Sequence, residues 1–291
     1  MTPGQSSAGQ ASPARAARRS QLLATLLVLG WLASLGLGLA WVMHPLPQAG
    51  PGLVLIALAL VLLRSLLQTG LFIVGHDAMH GLLVPAHAGW NQRFGALALA
   101  LYGALPYELC RRNHLRHHGA PGTEQDPDFY TEGSASPVAW YVRFLKGYLS
   151  APQMALLLSG WGLLAVVATP GQVLLFCTVP LLLSSLQLFV VGTYLPHRQA
   201  PQPGDPHHAI SLDLPEWLSL LACFHFGYHW EHHAYPQLAW HQLPLSRRAR
   251  GGDCYAIGSS SWKPHWLAGR IRSRQWPEPP LPLPTTGPLM G

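Results

Sequence analysis

The sequence is poor in charged residues. Only 10% of its 291 residues are Asp, Glu, Lys or Arg, whereas 49% are hydrophobic. Soluble globular domains carry about 25% charged residues. The net charge is +6, but no basic run alternates with aromatic residues, so the positive charge indicates anionic lipid headgroups and not nucleic acid. The composition therefore predicts an integral membrane protein.

Cysteine is also scarce, and its spacing excludes two classes of small stabilised fold. The chain contains Cys110, Cys177, Cys223 and Cys254, with no C-x-x-C pair and no two cysteines close in sequence. This pattern gives neither a disulfide framework nor a zinc ribbon. We interpret all four as reduced thiols.

Long apolar runs are the main feature of the sequence. Residues 22–43 give about 33 Å of helix, enough for a hydrocarbon core of roughly 30 Å. A cleaved signal peptide is the alternative for this run, although a secretory apolar core has only about 7 to 15 residues. The run at 94–106 is too short to cross and is predicted to be interfacial or re-entrant. Three further spans are predicted at 53–75, 153–169 and 171–194.

The distribution of basic residues predicts the orientation of these four spans. The two outer loops, 44–52 and 169–172, contain no Lys or Arg. The positive-inside rule then places both termini on the cytoplasmic side of the membrane. Arg64 is the exception, and we expect its side chain to reach an interface. The predicted fold class is all-α, with four transmembrane helices beneath a cytoplasmic histidine-rich cap.

Composition shifts divide the chain into three parts. Residues 1–20 are Ser-, Ala- and Pro-rich with three arginines and no acidic residue, which predicts a disordered basic tail. Residues 273–291 form a Pro-rich C-terminal tail. The catalytic domain is therefore predicted over 21–272.

Three histidine boxes follow the predicted spans. An H-x-x-x-H pair is followed by two H-x-x-H-H boxes, and positions i, i+3 and i+4 share one helix face. None of them is the H-E-x-x-H zinc-protease motif, because Glu231 occupies the wrong position. His197, at the end of the fourth span, is a possible ninth ligand. The predicted metal-ligating and catalytic residues are His76, His80, His114, His117, His118, His197, His229, His232 and His233.

Eight imidazoles in one place are too many for a single metal ion. A structural zinc takes four ligands and a catalytic zinc usually three, so the boxes predict two metal ions. An all-nitrogen set with open positions suits iron that activates dioxygen, while copper and zinc pairs stay possible. His225 is either a further metal ligand or a hydrogen-bond donor to one of the ligands. Four nearby carboxylates are predicted to accept imidazole N–H groups and fix the tautomers: Asp77, Asp126, Asp128 and Glu231.

These boxes resemble those of the membrane di-iron fatty acid desaturase and hydroxylase superfamily. Within it, segments 75–81, 112–118, 122–129, 192–198 and 223–238 are similar to the bacterial beta-carotene 4-ketolases. The resemblance implies two Fe²⁺ ions, with His197 as the additional ligand between the second and third boxes. His241 stands where the resemblance expects a second Trp.

The resemblance also implies a reaction and its partners. A carotenoid in the bilayer would be oxidised at C4 of its beta-ionone ring, with dioxygen as oxidant and electrons from a ferredoxin. Five arginines are predicted to steer that acidic donor or, alternatively, to face lipid: Arg111, Arg112, Arg116, Arg247 and Arg248. The alternatives are a carotenoid hydroxylase or fatty acid desaturase of the same superfamily, and a membrane protein that senses or stores metal.

Overall fold

The computed structural model describes residues 13–40, 50–130, 136–198 and 205–250. Within them every regular element is helical, apart from one isolated antiparallel bridge between Ser211 and Tyr228. The described part of the chain therefore confirms the all-α prediction. The helices are α1 (Pro13–Ala40), α2 (Pro51–Met79), α3 (Ala88–Gly103), α4 (Tyr107–Gly119), α5 (Pro137–Tyr148), α6 (Ala151–Val167), α7 (Pro170–His197), α8 (Glu216–Cys223), α9 (His229–Ala234) and α10 (Leu243–Ala249), with a 3-10 turn at Trp240–Gln242.

Three of the described helices are long and apolar enough to cross a membrane: α1 from Ala14, α2 and α7. α5 and α6 meet the same test only together, and they are bent by 89° at the break between them. The described residues thus contain three candidate spans, or four if the bent pair forms one. α3 is not among them, in agreement with the prediction that the run at 94–106 does not cross.

The helix starts follow from local sequence. Ser136 and Ser150 cap α5 and α6, and a proline occupies the first turn of each. At α7, Thr169 and Gln172 bond to each other's backbone N–H, forming a capping box just after α6 ends. The predicted break between the two runs is confirmed, although it lies at residues 168–169 and not at the predicted turn of 169–171.

The basic tail ends earlier than the composition predicts. α1 begins at Pro13, so Arg15, Arg18 and Arg19 lie on its first turns and not in a disordered segment. Alanines at 14, 16 and 17 favour helix there, and the apolar run that follows extends it. Residues 1–12 and the predicted Pro-rich tail at 273–291 lie outside the described residues.

α2 is the central helix and packs against α1, α3 and α7. Small residues bring α3 close to it: a Cβ at Gly95 would lie 2.5 Å from the Cβ of Ala78, and one at Gly75 would lie 2.5 Å from Leu99. Close backbone approach of this kind is how helices associate inside a membrane. It fixes the last turn of α2, which carries the first histidine box.

Arg64 does not reach an interface, so that prediction is wrong. Its side chain is buried in the middle of α2, with 1% of its surface exposed. The guanidinium donates to the carbonyl oxygens of Phe176 and Trp31 and to Ser34 Oγ, and it lies 5.3 Å from the centre of the Trp31 ring. Arg64 therefore joins α1, α2 and α7 by pairing polar backbone groups within the apolar region.

α7 contains two π-helical segments, Leu174–Thr178 and Leu188–Tyr194. Such a segment widens the helix by one residue per turn and turns the following side chains to a different face. The first includes Phe176, whose carbonyl oxygen accepts from Arg64. The second ends just before His197 and so helps to set the direction in which this histidine points.

Candidate metal centre

Four helices deliver the nine predicted histidines to one place. The end of α2 supplies the first box, α4 the second, the last residue of α7 supplies His197, and the short helix α9 supplies the third box. α9 forms after a turn in which Phe224 and His225 both have positive φ, at 49° and 62°. That turn lets the chain reverse after α8 and direct α9 toward α4.

Eight of the nine histidines form two groups of four. In each group one ring nitrogen per residue lies within 4.8 Å of the others. We call them group one (His76, His80, His114 and His232) and group two (His117, His197, His229 and His233). Two groups of four match the predicted pair of metal ions.

In group one the Nε2 atoms face each other in two pairs. His80 Nε2 lies 2.7 Å from His114 Nε2, and His76 Nε2 lies 3.2 Å from His232 Nε2. Burial lowers the pKa of His80 to about 4, and it holds the pKa values of His114 and His232 well below the usual range, with neighbouring histidines adding to the effect. These imidazoles stay neutral at physiological pH, which is the form that binds metal.

Group two has defined tautomers. His117 Nδ1 lies 2.8 Å from Asp126 Oδ2, His197 Nδ1 lies 2.8 Å from the carbonyl oxygen of His208, and His229 Nδ1 lies 3.3 Å from that of Phe226. An oxygen acceptor requires that each Nδ1 carries the proton. In the neutral form of each ring, Nε2 then presents a lone pair.

These Nε2 lone pairs converge without enough protons to pair them. His233 Nε2 lies 3.0 Å from His117 Nε2 and 3.1 Å from His229 Nε2, and a neutral His233 could donate to only one of them. The buried Nε2 of His197 has no hydrogen-bond partner among the described residues. A cation satisfies all four lone pairs together, so the residues present fit a bound metal ion.

His118 belongs to neither group and contacts both. Its Nε2 lies 2.8 Å from His232 Nε2 of group one, and its ring stacks on His233 of group two with centroids 4.3 Å apart. His118, the remaining one of the nine predicted histidines, therefore lies in the cluster between the two groups.

An apolar cavity adjoins both groups. It encloses about 30 Å³, and its wall includes Phe72, Met79, Phe144, Leu188 and Phe226 together with four of the clustered histidines. The ring centroid of Phe226 is 4.7 Å from that of His76 in group one and 5.1 Å from that of His229 in group two. The cavity is thus a slot that leads from apolar side chains to the histidines.

Gly192 makes room for Phe226 in this wall. A Cβ at position 192 would lie 2.5 Å from Phe226 Cδ1, too close without a shift of the ring. Gly192 and Thr193 lie in the second π segment of α7, where no sequence period marks them as cavity residues. The resemblance covered segment 192–198 but assigned a role only to His197.

Comparison with known proteins agrees with this geometry. The fatty acid desaturase family model matches residues 49–159 and 149–264. A beta-carotene ketolase of Paracoccus sp. strain PC1 is 41% identical over 202 residues, which are 64% of this chain and 76% of that protein. A beta-carotene ketolase of Paracoccus sp. strain N81106 is 40% identical over 210 residues, 66% of this chain and 80% of that protein. This chain belongs to the beta-carotene ketolases of the fatty acid desaturase family.

This chain matches a smaller share of the relatives from outside Paracoccus. The beta-carotene 4-ketolase of Protosiphon botryoides is 38% identical over 196 residues, and the match spans 64% of this chain but 50% of that protein. The match therefore leaves about half of that longer protein uncovered.

Among the ketolase's four predicted tautomer-fixing carboxylates, only Asp126 has the expected partner. Asp77 Oδ1 is 3.6 Å from His76 Nδ1, too far for a hydrogen bond. Asp128 accepts from the Tyr148 hydroxyl at 2.6 Å. Glu231 accepts from Ser211 and from the guanidinium of Arg247, so it ties α9 to α10 and the loop before α8.

The unassigned histidines differ from one another in the structure. His225 is outside both groups, and its ring stacks against Tyr228 and Trp240. The backbone carbonyl of His208 accepts from His197 Nδ1 and so orients that ring. His241 pairs with Ser20 Oγ at 3.0 Å and so joins α1 to the turn before α10, whereas His87 is exposed. His44 and His265 lie outside the described residues, as does Cys254; the other three cysteines are buried thiols, as predicted.

The prediction that Arg247 steers the donor or faces lipid is wrong. It is 7% exposed and lies 3.4 Å from Glu231 and 3.6 Å from Asp213. Arg248 is exposed but pairs with Glu216 at 2.8 Å. Arg112 and Arg116 are exposed one turn apart on α4, the helix that carries the second box.

Proposed function

We propose that this ketolase converts beta-carotene through echinenone to canthaxanthin by oxidising C4 of each beta-ionone ring. The observation that supports this most strongly is the pair of four-histidine groups side by side at the end of an apolar cavity. The curated relatives named beta-carotene ketolase support the carotenoid substrate. An apolar substrate would come from the bilayer, in which α1, α2 and α7 are candidate spans.

We propose two Fe²⁺ ions as the cofactor, one in each group, with His118 between them. The ligand set is all nitrogen, as in sites for iron, copper or zinc, and not the oxygen set that magnesium or calcium requires. Bound iron would supply the activation of dioxygen for insertion of oxygen into a C–H bond. The chain supplies neutral imidazoles at group one, fixed tautomers at group two and a largely apolar cavity wall.

The cavity residues would position the ring. A volume of about 30 Å³ is the space of about one water molecule, so the ring enters only if side chains such as Phe144 move aside. Once bound, the ring would be held with C4 toward the histidines. Fixed positioning matters because a misplacement of about 1 Å can lower the rate on the order of a hundredfold.

Fixed positioning also explains why a ketone forms. After the first oxidation, C4 carries a hydroxyl group and one remaining hydrogen, and that hydrogen is still the nearest one to the metal centre. A second oxidation at C4 gives a gem-diol, which loses water to form the ketone. Each oxidation takes one dioxygen and two electrons, and we propose a ferredoxin as donor, attracted by the exposed Arg112 and Arg116 on α4.

We propose an inner-membrane location with both termini and the histidine groups in the cytoplasm. The charge asymmetry of the loops supports it. In a variant without native cysteines, Gly171→Cys at the start of α7 should react with a membrane-impermeant thiol reagent in intact cells. Gln125→Cys, exposed in the loop after α4, should not react. Labelling at Gln125 from outside would contradict the orientation.

Expression in a host that accumulates beta-carotene tests the activity. The expected pigments are echinenone and canthaxanthin, and a supplied 4-hydroxy ring should also become the ketone. Accumulation of 3-hydroxylated rings with no 4-keto product would contradict the ketolase assignment and favour a carotenoid hydroxylase.

A further inference from the structure

The second oxidation at C4 makes a demand that the first does not. The half-oxidised ring carries a hydroxyl group inside an apolar slot, and a buried hydroxyl without a partner weakens binding. The ring must also keep its remaining C4 hydrogen toward the histidines, so the hydroxyl must point to another wall. An enzyme that continues to the ketone therefore needs a polar group in that wall.

The cavity offers few such groups apart from its histidines. Its other lining residues with a polar side-chain atom able to bond an alcohol are Cys110, Asp128, Tyr148 and Thr193. Cys110 is 1% exposed within an apolar cluster, and a thiol is a weak partner. Thr193 is a single hydroxyl on α7. Asp128 and Tyr148 are already paired, with the tyrosine hydroxyl donating to Asp128 Oδ1 at 2.6 Å.

This pair is firmly placed. The indole N–H of Trp140 donates to the backbone carbonyl of Asp128 at 2.8 Å, and the backbone N–H of Asp128 donates to Asp126 Oδ1 at 2.9 Å. Asn113 Nδ2 donates to the carbonyl of Gly147, which fixes the end of α5 against α4. Asp128 is therefore held between α5 and the loop that orients His117.

The carboxylate keeps capacity for another donor. A carboxylate accepts about four hydrogen bonds, and Tyr148 provides one of them. We propose that Asp128, positioned by Tyr148, accepts a hydrogen bond from the C4 hydroxyl of the half-oxidised ring and so retains the alcohol for the second oxidation. This inference rests on the proposed ketolase function, and it adds a binding site for the intermediate.

The proposed contact forms no covalent bond. In the first oxidation one dioxygen, two electrons and two protons convert C4–H to C4–OH and release one water. The second oxidation repeats this balance on the remaining C4–H, and the gem-diol then loses water as one C–O bond breaks and the C=O bond forms. The electrons come from the one-electron protein donor, and Asp128 acts only on the orientation and retention of the alcohol.

Ligand binding by the protein in the absence of an electron donor tests the contact without turnover. The protein in lipid nanodiscs is titrated with beta-carotene and with its 4-hydroxy derivative, and quenching of tryptophan emission gives the two affinities. Asp128→Leu should lower the affinity for the alcohol about tenfold more than that for beta-carotene, as expected for loss of a buried hydrogen bond. Tyr148→Phe should act in the same direction but less strongly.

The matched control is Tyr141→Phe, which removes a hydroxyl from the same helix; Tyr141 bonds to Ser185 and does not line the cavity. It should not change the ratio of the two affinities. Equal losses for both ligands in Asp128→Leu would overturn the proposal. A larger loss for a 3-hydroxy ring than for the 4-hydroxy ring would also overturn it, because the carboxylate would then recognise C3.

Products in the beta-carotene host separate this inference from the function on which it rests. Asp128→Leu and Tyr148→Phe should raise the ratio of 4-hydroxy to 4-keto pigments several-fold, while the metal bound per chain stays as in the wild type. A wild type that forms no C4-oxidised pigment would contradict the proposed function. A wild type that forms ketone, with an unchanged ratio in both variants, would contradict the role of Asp128 alone.

Discussion

The two histidine groups contain four imidazoles each and differ in the hydrogen bonds that orient those imidazoles. In group two, three of four imidazoles bond through Nδ1 to an oxygen acceptor, from Asp126 and two backbone carbonyls. In group one, no Nδ1 has a hydrogen bond to the described residues, and the buried Nδ1 of His76 is 3.6 Å from Asp77. Partners behind the ligands fix ring orientation and raise metal affinity. We therefore expect group two to hold its ion more firmly at neutral pH.

Removing a ligand should have the largest effect. His117→Ala takes away one member of group two and leaves Asp126 buried without its imidazole partner. We expect loss of at least one bound metal ion per chain and loss of ketone formation, measured by metal analysis and pigment extraction. His87→Ala, at an exposed position, is the control. Full metal content in His117→Ala would remove His117 from the ligand set.

The second largest effect should come from a change in the cavity wall that adjoins both histidine groups. Gly192→Ala places a methyl group 2.5 Å from Phe226, whose ring contacts histidines of both groups. A shift of about 1 Å in such a wall can lower turnover on the order of a hundredfold. Gly160→Ala, where an added Cβ meets nothing within 4 Å, should leave ketone formation unchanged. Equal activity in the two variants would show that Phe226 does not position the ring.

The carboxylates provide a more direct test of the difference between the groups. Asp126→Asn weakens the acceptor of His117, and the loss of such a partner lowers metal affinity about 10- to 100-fold. Asp77→Asn should have a smaller effect, because Asp77 forms no hydrogen bond with His76. Chelator competition on the purified variants measures both. A larger loss in Asp77→Asn would reverse the assignment of the firmer site.

The smallest expected effect is a difference in pH dependence. Burial disfavours the charged form of His117, but its hydrogen bond to Asp126 and the negative charges of Asp126 and Asp128 outweigh this and raise its pKa above 6.5. In the metal-free protein this pair adds stability below the unfolded pKa, and that stability is lost as pH rises through the raised pKa. A protonated imidazole cannot bind metal, so affinity at group two should fall about tenfold per pH unit below that pKa.

Group one should behave differently over the same range. Its histidines have lowered pKa values, with His80 at about 4, so its metal affinity should stay nearly constant between pH 7 and pH 5. Chelator titrations at several pH values would show two phases whose separation narrows as pH falls. A constant separation would contradict the role of His117.

The sequence predicts the metal-ligating histidines better than it predicts the groups that orient them. Spacing alone identifies the boxes, because i, i+3 and i+4 share a helix face whatever surrounds the helix. Support depends on contacts distant in sequence, such as His197 with the carbonyl of His208 or Arg64 with that of Phe176. The π segments of α7 were not predicted, since an extra residue in a helical turn leaves no periodic pattern. Arg64 was misplaced because its partners are backbone atoms of other helices.

Metal analysis of the purified protein tests the central claim most directly. The protein is isolated from iron-replete cells that make the keto pigments, and iron, copper and zinc are counted per chain during stepwise chelation. We predict two irons, released in two phases, with ketone formation lost once the first ion has gone. Two firmly bound zinc ions, with iron absent and ketone formation retained, would contradict the account.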